Sequence, residues 1–238
     1  MSKVVLTAAP AGTVLSSNPE DKLPFLRPGE NTEAPKAQNE YVILMDGNSI
    51  TRHDVSPQII EKYGWGRLCG MAASSEENDY AHLLAAKIQK KLPAMKVRLI
   101  FGSPEKQTVM PDLVVFQGGE HVGSKELPAY AEAYTKKLQN IRSLFPKSKI
   151  IAIGIWNPRC REEFKECTGE NYFENAVRIE KIQSKVTAEL GIPFASVSKY
   201  ENDPANTGDG KVAAVRWHPN DNGMKCYADE AFKAFLQL

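Results

Sequence analysis

Two short segments carry residue types that could do chemistry. Residues 46–51 read Asp46-Gly47-Asn48-Ser49-Ile50-Thr51 and follow directly on the apolar run Tyr41-Val42-Ile43-Leu44-Met45. This order describes a buried strand that feeds a glycine-containing turn and delivers a serine to the carboxyl end of a sheet, where open α/β folds place their sites. The second segment, Trp217-His218-Pro219-Asn220-Asp221-Asn222-Gly223-Met224, precedes the last helical pattern of the chain. A serine hydroxyl is scarcely ionised at neutral pH and becomes a nucleophile only beside a base. A histidine, with an ordinary pKa of about 6.5, can take that proton and return it. A fold that joins the two segments would assemble the parts of an acyl-transfer site. Pro219 makes the approach to the last helix rigid, and Asn220 or Asp221 is placed to cap it.

The elements that must position these groups are readable from residue 41 onward. Strands are predicted at 41–46, 96–101, 112–117, 149–155 and about 193–197, several of them near-continuous apolar runs of the kind that parallel strands covered on both faces require. Helices are predicted at 78–92, with Leu84, Ile88 and Leu92 on one stripe, and at 126–144, with Tyr130, Tyr134, Leu138 and Ile141. Two more fall at 172–190, with Ile179, Ile182, Val186 and Leu190, and at 221–237, with Met224, Ala228, Ala231 and Phe235. Apolar spacing of three and four marks each as amphipathic. Alternating strands and helices imply a three-layer α/β/α sandwich around a mainly parallel sheet of about five strands. Residues 1–40, rich in Pro, Asn and Glu, read as an irregular arm along the domain surface, with one short strand at Val4–Leu6.

Gly47-Asn48-Ser49 after the first strand, together with the distant His218-Pro219, resembles the SGNH hydrolases, also called GDSL esterases or lipases, over roughly residues 41–238. The resemblance implies their flavodoxin-like α/β/α fold, Ser49 as nucleophile, His218 as base and no cofactor. The family's second block supplies a glycine. It falls best on Cys69-Gly70-Met71-Ala72-Ala73-Ser74, with Gly66 as a rival, so that Gly70 and Ser49 donate backbone N–H groups to the oxyanion. The third block, Gly-x-Asn, falls on Gln117-Gly118-Gly119-Glu120-His121, where His121 stands in place of the asparagine and would donate from its ring. In the last block, Asp-x-x-His, the acid position is Val215, which cannot orient an imidazole. Either Ser49 and His218 act as a dyad, or another acceptor serves. A backbone carbonyl near Val215 and Arg216 is favoured by proximity over the carboxylates of Glu120 and Asp209.

Bulk properties exclude several other classes. In a chain of 238 residues the formal charge is +1 and no dense Lys/Arg cluster occurs, so no nucleic-acid partner is expected. No apolar run approaches the roughly 18 residues that span a bilayer, so no membrane association is expected. The N-terminus lacks the apolar stretch of at least about 7 residues found in a signal peptide, and the compartment is left open. Of the four cysteines, none forms a CxxC pair; Cys160 and Cys167 are spaced for a local disulfide, but free thiols are the expectation. Asp46, His53, His121 and His218 lack metal-ligand spacing, and no metal is expected. His53 follows the serine turn and is placed to line its pocket; the neighbouring Arg52 could pair with an acidic substrate group, but a solvated arginine is the expectation. The reading is therefore a serine esterase that removes a small acyl group, acetyl foremost, from a carbohydrate. The competing reading is a catalytically weakened protein of the same fold that binds a glycan or a partner. A flavodoxin-like cofactor binder ranks last, because no phosphate-cradling loop follows the first strand.

Overall fold

Five apolar segments form the strands β1 (Glu40–Asp46), β2 (Lys96–Phe101), β3 (Leu113–Gln117), β4 (Lys149–Ile153) and β5 (Phe194–Ala195). A computed structural model describes residues 34–164 and 172–238. The strands lie in the order β2-β1-β3-β4-β5, and every neighbouring pair is parallel. The helices are α1 (Pro57–Tyr63), α2 (Tyr80–Lys91), α3 (Leu127–Leu144), α4 (Tyr172–Glu189), α5 (Ala213–Trp217) and α6 (Asp221–Phe235).

Successive strand residues point to opposite faces of a sheet, and this alternation divides the core in two. Ile43 and Met45 of β1 pack with Leu84 and Ile88 of α2 and with Met224 and Tyr227 of α6. Val42 and Leu44 pack on the other face with Tyr134 and Leu138 of α3 and Ile179 and Val186 of α4. The result is a parallel sheet sandwiched between two helical layers, as the apolar periodicity predicts. All the strands run in one direction, so the loops after β1, β3 and β4 open on the same rim.

Capping decides where the helices begin. Asp79 accepts from the His82 N–H at 2.9 Å, so α2 starts at Tyr80 rather than 78, with Glu76–Asn78 forming a separate 3-10 turn. Of the two predicted caps for α6, Asn220 takes the role and accepts from the N–H groups of Asn222 and Gly223. Asp221 instead accepts from the backbone N–H of Ser74 at 2.7 Å, tying α6 to the loop before α2. β3 begins at Leu113, one residue later than predicted; the Asp112 carboxylate accepts from the Val42 N–H at 2.7 Å while its backbone N–H donates to the Val42 carbonyl at 2.8 Å. The fourth and fifth strands are shorter than predicted, ending at Ile153 and spanning only Phe194–Ala195. Helices α1 and α5 were not expected from the periodicity, being one to two turns long. Residues 34–39 precede β1, and the Lys36 ammonium meets the Asp112 carboxylate at 2.5 Å. The strand expected at Val4–Leu6 lies outside the described residues, and so does Cys167, the second member of the Cys160–Cys167 pair. No described helix is long and apolar enough to cross a membrane.

Asn220 also donates to the carbonyls of Ala205 and Thr207. Asn220→Ala should therefore lower stability by about 1–2 kcal/mol. Urea denaturation with an unchanged m-value would report it.

Candidate active site

Ser49 sits in the turn that follows β1. Gly47 is required there by space, since a Cβ on it would lie 1.9 Å from Thr51 Oγ1. The turn closes on Asn48, whose carbonyl accepts from the N–H groups of Thr51 and Arg52 at 2.9 Å each. Its side-chain Oδ1 accepts from the Ile50 N–H at 3.0 Å. Among the described residues nothing accepts the Ser49 N–H.

His218 follows the short helix α5. Its Nε2 lies 2.7 Å from Ser49 Oγ, although the residues are 169 positions apart. Its Nδ1 lies 2.6 Å from the carbonyl of Ala214. A carbonyl only accepts, so Nδ1 carries the proton and Nε2 presents its lone pair to the serine hydroxyl. The acceptor arises from the way the helix ends. The last carbonyls of a helix lack N–H partners of their own. The His218 N–H turns to Val215 O at 3.1 Å, which leaves Ala214 O, four residues back, for the ring. The acceptor thus lies one residue before the Val215–Arg216 window, while Glu120 and Asp209, the alternatives, do not bond Nδ1. Asp209 is exposed, near Arg161 at 3.9 Å. The α5 segment is held by Arg216, which forks onto both oxygens of Glu163 at 2.9 and 2.8 Å. Gly208 N–H holds the His218 carbonyl at 2.8 Å.

The imidazole is 7% exposed. Burial, against which the Ala214 carbonyl pulls back, and the nearby rings of His53 and His121 hold its pKa down, at about 4. The charged form is costly here because the ring is buried, and the orienting carbonyl offsets that with a dipole only.

Ser49 and His218 face an open cavity of about 500 Å³ whose walls include Tyr63, Tyr172, Trp217 and Glu120. His53 and His121 also line it. His121 is an exposed rim residue, whereas its neighbour Glu120 is buried. Arg52 stacks its guanidinium 4.1 Å above the Phe101 ring. Gly70 occupies a different place from the one its predicted role needs. Its N–H is directed to Asp79 Oδ2 at 3.4 Å and it does not line the cavity. A Cβ there would meet Ile50 O at 2.4 Å and Met224 Cε at 2.6 Å, so close packing explains the glycine. Sequence reasoning missed the aromatic walls and the polar contacts of Glu120. Gln117, a polar residue at the end of an otherwise apolar strand, was the available signal. Among the described residues no three His, Cys, Asp or Glu side chains converge as a metal site would require.

No family model and no curated protein matches this chain. Solved structures do. A protein assigned to the SGNH hydrolases, from Slackia heliotrinireducens, superposes with a TM-score of 0.52 at 17% identity, covering 83% of this chain and 100% of that one. A protein assigned as a GDSL-like lipase, from Parabacteroides merdae, gives 0.54 at 16% identity over 87% of this chain and 98% of that one. A two-domain esterase active on acetylated mannans gives 0.53 at 14% identity, over 83% of this chain and 49% of that one. The fold is the α/β/α fold of the SGNH hydrolases.

Two outcomes follow from this geometry. Gly70→Ala should cost about 1–3 kcal/mol of stability through overpacking, read by denaturant unfolding. By NMR, the His218 ring should titrate near 4 rather than 6.5. The folded state then binds this proton less tightly than the unfolded chain does. The contribution of His218 to stability is complete above about 6.5 and is lost as the pH falls towards 4.

Proposed function

We propose that this protein is a serine ester hydrolase in which Ser49 is the nucleophile and His218 the base. The observation that carries the reading is the contact of 2.7 Å between Ser49 Oγ and His218 Nε2, with Nδ1 held by the Ala214 carbonyl. His218 takes the hydroxyl proton as Oγ attacks the acyl carbon. The oxyanion forms against the Ser49 N–H, with the ring of His121 as the side-chain donor. His218 then passes the proton to the leaving alcohol, and the acyl-enzyme is hydrolysed by water activated at the same nitrogen.

A missing carboxylate does not by itself disable such a site. Where the orienting aspartate of a serine hydrolase is replaced by an amide, the loss of about 10⁴-fold is attributed to the wrong tautomer. Here the carbonyl enforces the right one. What it fails to supply is a full charge opposite the imidazolium, so turnover should be slower than in a complete triad. A low His218 pKa also keeps the base unprotonated well into the acid range.

The substrate we propose is a small acyl ester, acetyl foremost, on a carbohydrate. The support is an open cleft whose walls combine the aromatic faces of Tyr63, Tyr172 and Trp217 with polar side chains. Sugars present an apolar face and a hydroxyl edge, which such a lining matches. One structural neighbour is an esterase active on acetylated mannans. The competing reading, a glycan- or partner-binding protein with a worn site, draws on Val215 at the acid position and His121 at the asparagine position.

Hydrolysis of p-nitrophenyl acetate separates the two readings. The esterase predicts turnover above buffer that falls at least about 1,000-fold in both Ser49→Ala and His218→Ala. Turnover unaffected by either change would favour the binding protein.

A further inference from the structure

We propose that Glu120 is a positioning residue of this site: acting through the Asn48 and Gln117 side-chain amides, its carboxylate fixes the turn that presents Ser49. The inference rests on the hydrolase reading and deepens it.

Glu120 lies in the loop after β3, is 7% exposed and lines the same cavity as Ser49. Its Oε2 accepts from Asn48 Nδ2 at 2.6 Å. Its Oε1 accepts from Gln117 Nε2 at 2.6 Å and from the Trp156 N–H at 3.1 Å. An ionised carboxylate can only accept. It therefore turns the NH₂ end of both amides towards itself, and the oxygen ends must face the other way. Those oxygens are what the serine turn uses. Asn48 Oδ1 holds the Ile50 N–H, and Gln117 Oε1 accepts from Thr51 Oγ1 at 3.2 Å. One acceptor-only group thus sets the polarity of every side-chain amide that grips residues 48–51.

Protonation would undo this order, because a carboxylic acid presents a donor to amides that are already donating. Burial raises the carboxyl from 4.5 to about 7, with the N–H groups of Trp156, Asn48 and Gln117 pulling it back down. The buried phenols of Tyr80, Tyr130, Tyr134 and Tyr227 are each raised in part by the Glu120 charge. The Glu201 carboxyl, raised to about 8, is affected in the same sense. His53, His121 and His218 share the cavity. The hydrogen bonds that hold the Glu120 carboxylate come from the side-chain amides of Asn48 and Gln117 and the backbone N–H of Trp156. Activity should therefore rise with pH through about 7 as Glu120 ionises, well above the step near 4 that His218 contributes.

The test is the pH dependence of p-nitrophenyl acetate hydrolysis by the wild type, Glu120→Gln, Asn48→Ala and the double variant. In the wild type kcat should show an acid limb near 7. Glu120→Gln should lower kcat by about 100-fold, the size of effect that a misplaced nucleophile produces, with KM within about twofold. Its remaining activity should have lost the limb near 7 and keep the one near 4. Asn48→Ala should cause a similar loss, and the double variant should fall little below the slower single one. A wild-type profile with no limb near 7 would overturn the proposal whether or not the variants fold. So would losses that multiply in the double variant, or an unmoved limb in Glu120→Gln. A wild type with no Ser49-dependent turnover would instead overturn the hydrolase reading, and this inference with it.

Discussion

An imidazole can accept a proton from a hydroxyl only when its other nitrogen already holds one, and the site described here depends on how that condition is met. The proton on His218 Nδ1 is fixed by a backbone carbonyl, Ala214 O, at 2.6 Å. That carbonyl is available because α5 ends at Trp217 and the His218 N–H bends to Val215 O instead of continuing the helix. The orienting group is thus a product of helix termination rather than of a side chain. Arg216, on the same short helix, anchors it to Glu163 and to the carbonyls of Gly210 and Lys211. Tautomer and ring direction are secured in this way without a carboxylate, and burial, offset only by the carbonyl dipole, keeps the pKa of the ring low.

Two buried titratable groups of one cavity are pushed in opposite directions. Burial disfavours the charged form of each, lowering His218 and raising Glu120. Between about 4 and 7 both are mainly neutral, and above 7 the histidine is a free base and Glu120 an ionised carboxylate. The sheet makes this arrangement possible. The turns after β1, β3 and β4 supply Ser49, Glu120 and Trp156, and because the strands are parallel they all reach the same rim.

The four long helices could be read from their three-and-four apolar spacing, and the strands from short, near-continuous apolar runs set between them. Their ends could not, since they depend on which side chain takes a cap: α2 starts only at the Asp79 cap, and Asn220 caps α6 while Asp221 is held by the Ser74 N–H. The nearness of Ser49 and His218 was legible because residue type and spacing point to it together. The acceptor behind His218 was not, as the direction of a carbonyl at a helix end is invisible in side-chain identities. Gly70 shows the same limit from the other side. Its lack of a side chain suggested close approach to an acyl oxygen, but the close approach is to Ile50 O and Met224. Glu120 was considered as a partner for the histidine. Its actual partners come from residues 48, 117 and 156, three segments that no local pattern connects.

Everything else at the proposed site serves one step, the formation of a bond from Ser49, activated by an imidazole held on a backbone carbonyl, to the acyl group. Mass-spectrometric mapping of the adduct formed with a fluorophosphonate tests it most directly. The expected result is one adduct, on the peptide carrying Ser49, formed far more slowly in His218→Ala. An adduct on another residue, or labelling of Ser49 at the same rate without the histidine, would contradict it.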